Sequence, residues 1–122
     1  MKAIVKYNDL TDIPSLELFL HGAPHTREHR ATLQRFREDL YELAARRLAD
    51  KVGLPIDWPL DLKVVYSNPN SPDLDHLITA TFQALDGKSL KGPSILSDDR
   101  YIQKVTMSKY YANPPTRRDG AR

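Results

Sequence analysis

Between Leu60 and Leu85 the spacing of apolar residues changes, and that change dictates a strand followed by a helix. Leu60, Leu62, Val64 and Tyr66 alternate with Asp61, Lys63 and Val65, the period of a half-buried strand. Asn68-Pro69-Asn70-Ser71-Pro72 then supplies turn residues in succession. Leu77, Ile78, Thr81, Phe82 and Leu85 follow at the i, i+1, i+4, i+5, i+8 spacing of one helix face. This predicts a short helix over residues 75–86, stopped at Asp86-Gly87.

Other segments repeat these periods. Leu16, Leu18 and Leu20 alternate with Ser15, Glu17 and Phe19 in a strand that Gly22-Ala23-Pro24 ends. Leu33, Phe36, Leu40, Leu43, Ala44 and Leu48 make the apolar stripe of a long helix over residues 26–52, with Gly53 and Pro55 as its stop. Residues 100–111 read as a last strand, with Tyr101, Gln103, Val105, Met107 and Lys109 on one side and Ile102, Lys104, Thr106, Ser108 and Tyr110 on the other. Ala3–Tyr7 is ambiguous: an edge strand is possible, but Asn8-Asp9 and Pro14 break it. The order implies an α+β fold, a small mixed β-sheet with a long and a short helix packed on one face.

The 122 residues suit one core. Residues 1–112 are expected as a single domain and residues 113–122 as a flexible basic tail. Apolar residues at 40% and charged residues at 28% exclude a disordered chain. No apolar run is long enough for a bilayer, so no membrane partner is expected. The absence of cysteine excludes a disulfide framework and a thiolate metal site. Met1 to Tyr7 lacks a signal-peptide core, and a cytoplasmic location is the expectation. A net charge of +2 does not itself point to nucleic acid, but its distribution is uneven. Arg27, Arg30, Arg35, Arg37, Arg46, Arg47 and Lys51 crowd the long helix, Lys88 and Lys91 lie in the loop over residues 87–99, and Arg117, Arg118 and Arg122 end the chain. Each is equally readable as a solvated surface charge.

Four acidic residues stand out. Asp73 and Asp75 lie two residues apart at the start of the short helix, and Asp98-Asp99 closes the loop before the last strand. Either Asp73 or Asp75 serves as a helix N-cap or first-turn acid, which explains one of them without invoking chemistry. In an extended segment, residues i and i+2 project to one side, so both can face a cleft while Leu74 points into the core. Carboxylates at loop ends are the usual means of holding Mg²⁺. If the loop returns Asp98-Asp99 beside Asp73, the set suits metal-assisted phosphodiester cleavage, with the basic helix holding the nucleic-acid backbone. Caps and solvated turns remain the alternative. His25 and His29 have helical i, i+4 spacing, but no glutamate follows His25 as in the zinc-protease pattern, so with His21 they read as surface or capping residues. His76 either contacts a phosphate or water, or sits on the exposed helix turn.

Asp73-Leu74-Asp75-His76-Leu77, then Phe82 and Ala84-Leu85, then Asp98-Asp99 before Tyr101-Ile102, resembles the RusA family of Holliday junction resolvases. The likeness is greatest over residues 64–109, where that family has Asp-x-Asp-Asn-Leu, a short helix ending in Ala-Leu, and an Asp-Asp-x-Gln-Val strand entry. The resemblance implies a small homodimeric α+β endonuclease that binds four-way DNA junctions and makes paired nicks with Mg²⁺ or Mn²⁺. Carried over, Asp73, Asp75 and Asp99 are the metal-binding carboxylates, with Asp98, His76 and Thr79 in support. Arg27, Arg30, Lys88, Lys91 and Arg100 are the candidate DNA contacts.

Four departures from that family matter. The family's catalytic lysine position is Thr79, its asparagine is His76, its glutamine is Tyr101, and the loop before Asp98 is longer. Loss of an ammonium near the scissile phosphate weakens transition-state stabilisation, and Lys88, Lys91 or Arg100 are the replacements the sequence offers. The expected function is a Mg²⁺-dependent, structure-selective DNA endonuclease resolving branched DNA in recombination and repair. The alternative is a junction-binding protein on the same scaffold with weak or lost catalysis. A sugar- or nucleotide-transferring enzyme with a metal-binding Asp73-x-Asp75 needs a longer chain than this one.

Overall fold

The computed structural model describes residues 2–21, 30–67, 69, 74–88 and 90–111. Its elements are β1 (Ala3–Asn8), β2 (Ser15–His21), α1 (Arg30–Leu48), β3 (Leu60–Ser67), α2 (Leu74–Leu85), a 3₁₀ turn (Asp99–Tyr101) and β4 (Ile102–Tyr110). The sheet has the order β1-β2-β3-β4, with β1 antiparallel to β2 and the other two pairings parallel. Each parallel connection carries a helix, as a parallel crossover requires. The fold is α+β, a four-stranded mixed sheet with two helices.

One face of the sheet holds the core. Leu16, Leu18 and Leu20 of β2 and Leu62, Val64 and Tyr66 of β3 pack with Leu40, Ala44 and Leu48 of α1 and with Leu77 and Leu85 of α2. The period-2 alternation of β2 and β3 therefore arises from burial on one side only. β1 is a full strand, paired from Ala3↔Leu20 to Asn8↔Ser15. Asn8 turns the chain rather than breaking the strand: its Oδ1 accepts the Leu10 N–H at 3.0 Å. The Pro14 carbonyl accepts the Asp61 N–H at 2.9 Å and ties that turn to the start of β3. Trp58 Nε1–H donates to the Tyr7 hydroxyl at 2.9 Å, fixing the segment before β3 to β1.

Four expectations are corrected. The long helix ends at Leu48 rather than residue 52, because the Lys51 and Val52 N–H groups both turn back to the Leu48 carbonyl; its expected start at residue 26 lies outside the described residues. Residues 99–101 form a 3₁₀ turn, and β4 starts at Ile102. The register shifts between Leu60↔Ile102 and Asp61↔Lys104, leaving Gln103 as the extra residue, so Ile102 packs on the core despite its parity with outward-facing Lys104. Leu74 is already helical and 41% exposed, so it does not point into the core. The tail over residues 113–122 lies outside the described residues. No helix among them is long and apolar enough to cross a membrane.

The parallel strands place the ends of α2. His21, Ser67 and Tyr110 are in register at the C-terminal edge of β2, β3 and β4. α2 begins after that edge and runs back to the other, where Asp86 bridges to Leu96 just ahead of the 3₁₀ turn.

Candidate functional site

Asp98 and Asp99 lie at the N-terminal edge of the sheet, held by the turn that starts β4. Asp98 caps that turn: its Oδ1 accepts the Arg100 N–H at 2.9 Å. Lys88 reaches across from the end of α2, with Nζ 3.0 Å from Asp98 Oδ1 and 3.9 Å from Asp99 Oδ1. The Arg100 guanidinium stands 3.9 Å from Asp98 Oδ2 and 5.3 Å from the Tyr101 ring centroid. The Arg100 N–H, and then Lys88, hold the Asp98 carboxyl below its ordinary range. Asp99 is pushed the other way, first by partial burial and then by the Asp86 charge. The Asp98 hydrogen bond raises Lys88 and keeps it an ammonium.

Asp86 went unread as a site residue in the sequence. It is 4% exposed, and its Oδ1 accepts the Lys88 N–H at 3.0 Å, which shapes the turn that presents Lys88. The available signal was electrostatic. An acid at the C-terminal end of a helix opposes the helix dipole, so a buried one there needs a compensating donor, which the Lys88 N–H supplies.

Asp75 occupies the first turn of α2, exposed, at the other end of the same helix. Asp75 and Asp86 are eleven positions apart, about 16 Å of helix at about 1.5 Å per residue. One chain therefore does not bring Asp75 to the Asp98–Asp99 pair. Thr79 is exposed and His76 half-buried on α2. Asp73, Arg27 and the side chain of Arg30 lie outside the described residues. Among the described residues no three His, Cys, Asp or Glu side chains converge closely enough to hold one metal ion.

Arg37 corrects the picture of a uniformly solvated basic helix. It is 1% exposed and lies on the apolar stripe between Leu33 and Leu40. Its Nη1 donates to the Lys91 carbonyl and its Nη2 to the Gly92 carbonyl at 2.9 Å. Gln34 also donates to Lys91 O, at 2.9 Å. Further along, Ile56 N–H bonds Ile95 O at 2.7 Å and Leu96 N–H bonds Leu85 O at 2.9 Å. The loop that delivers Lys88 and Asp98 is thus anchored at 91–92 and again at 95–97. Lys91 itself is exposed and contributes its carbonyl to that anchoring.

No family model, no curated protein and no solved structure matches this chain.

Proposed function

We propose that the protein is a Mg²⁺-dependent endonuclease acting on branched DNA, as its resemblance to the RusA resolvases implies. The observation that supports this reading best is the Asp98–Asp99 pair with an ammonium seated on it. Asp98 holds the Lys88 ammonium at 3.0 Å, and the hydrogen bond from that carboxylate raises the lysine's pKa. That donor chemistry fits a hard divalent cation, which takes carboxylate and water oxygens and relies on substrate phosphate to complete its shell. Asp73, Asp75 and Asp99 are the carboxylates that would hold it, with Asp98 in support, and the length of α2 requires Asp75 and Asp99 to come from two different chains. When bound, Mg²⁺ lowers the pKa of a water molecule and offsets charge on the scissile phosphate.

The chain's own residues supply the rest. Lys88 is the cation that replaces the one missing at Thr79, freed for a phosphate oxygen once the carboxylates have a stronger partner. A two-fold homodimer sets the Asp75 end of one α2 against the Asp99 end of the other and forms two identical sites. Two such sites suit the two-fold symmetry of a four-way junction. Exposed Arg35, Arg46 and Arg47 offer phosphate contacts along α1.

The test is cleavage of a synthetic four-way junction beside a linear duplex of the same sequence. Wild type should nick the junction only when Mg²⁺ or Mn²⁺ is present, and Asp99→Asn should abolish nicking while leaving junction binding intact. The binding-protein alternative draws on uncharged Thr79. It takes over if wild type binds the junction tightly and cuts nothing in either metal.

A further inference from the structure

Both helices lie on one face of the sheet, and among the described residues no element covers the other. In cross-strand register, that open face carries the rows Ile4–Phe19–Val65–Ser108 and Lys6–Glu17–Lys63–Thr106, and beside them His21–Ser67–Tyr110. We infer that this face is a platform for a single DNA strand with unpaired bases. The choice of DNA over RNA rests on the nuclease reading; the platform itself rests on the chemistry of the face.

Phe19 lies on β2, inside the sheet, with its ring only half-buried. Lys6 Nζ and Lys63 Nζ stand 5.8 and 5.9 Å from its ring centroid. An aromatic ring with two flexible ammonium groups over it suits a nucleotide: the lysine heads swing aside to meet the phosphates and the base takes their place on the ring. A groove of about 240 Å³ continues the surface, lined by Lys2, Ile4, Phe19, His21, Ser67 and Tyr110. His21 Nδ1 and Ser67 Oγ, 3.0 Å apart, place polar atoms at its wall. Tyr110, 57% exposed, offers a second ring at the sheet edge.

Charge selects the occupant. Lys2, Lys6, Lys63 and Lys104 outnumber Glu17 and Asp61 among the outward residues, so the face is net positive. A second copy laid on it opposes positive to positive, whereas a phosphodiester strand neutralises it. In duplex DNA the bases are already stacked on one another, so Phe19 gains a base only at the cost of unstacking a step, a cost that a single strand largely avoids.

The experiment is fluorescence anisotropy of a labelled oligothymidylate strand, with a duplex of equal length, titrated with the full chain. The strand should bind in preference to the duplex. Phe19→Ala should weaken strand binding about tenfold or more, and Phe19→Tyr should retain it. The Lys6→Ala/Lys63→Ala double variant leaves the core untouched and should lower the slope of log affinity on log salt by about 1.4. Strand affinity and salt slope unchanged in these variants would overturn the platform. So would a wild-type dimer that Phe19→Ala converts to monomer with strand affinity unchanged, since the face then belongs to a second copy. Junction nicking by the same proteins separates the two readings. Absent nicking with Phe19-dependent strand binding removes the nuclease and leaves the platform, and intact nicking with Phe19-independent binding does the reverse.

Discussion

Tyr66 shows how one buried polar group sets a measurable property. Its hydroxyl lies 2.6 Å from Thr81 Oγ1, and Thr81 in turn donates to the Leu77 carbonyl at 2.5 Å, joining β3 to α2 through two hydroxyls. Burial pushes the Tyr66 phenol up to about 12, against a smaller lowering by the Thr81 hydroxyl. Because the folded pKa exceeds the unfolded one, this contribution to stability is complete below pH 10 and is lost as pH rises toward 12. Two units correspond to about 3 kcal/mol. Urea unfolding across that window should show the loss in wild type, and a slope smaller by one proton in Tyr66→Phe. Arg37 is the second such residue. A guanidinium in the core is tolerated where carbonyls accept its protons, and here they belong to Lys91 and Gly92. Gly92 has φ +103, a backbone conformation that strains any residue with a side chain, so the turn that offers its carbonyl to Arg37 favours glycine at 92.

Among the elements, α2 and the loop after it decide the chemistry. The loop brings Lys88, not Lys91, to the carboxylates, because the Arg37 and Gln34 bonds hold the backbone at 91 on α1. In a junction-nicking assay Lys88→Ala should lower turnover about ten- to a hundredfold, and Lys91→Ala should leave it near wild type. Equal turnover in both variants would remove Lys88 from the site. Much of this scaffold was legible beforehand. β2, β3 and α2 lie within a residue or two of their expected bounds, because one-sided burial writes its period directly into Leu16–Leu20, Leu60–Tyr66 and Leu77–Leu85. The rest depends on contacts that periodicity does not encode. The bulge at Gln103 resets the parity of β4, the anchoring of 95–97 comes from Ile56 and Leu85, and Arg37 occupies an apolar position that its residue type conceals. The carboxylates were legible as residues but not as a geometry. Nothing in their spacing states that α2 runs between Asp75 and Asp99.

For the whole molecule, the two faces of the sheet do different work. One builds the core and aims α2; the other presents Phe19 and its lysines to solvent. The length of α2 makes the assembly, rather than the chain, the unit of the proposed chemistry. The most direct test is to nick a four-way junction with Asp75→Asn, with Asp99→Asn, and with an equimolar mixture of the two after joint refolding. Each variant alone should be inactive. The mixture should regain nicking, because a mixed dimer joins the intact Asp75 of one chain to the intact Asp99 of the other, and its cuts should be single nicks rather than paired ones. A mixture as inactive as its components, or full activity in either variant alone, would contradict a site shared across the ends of α2.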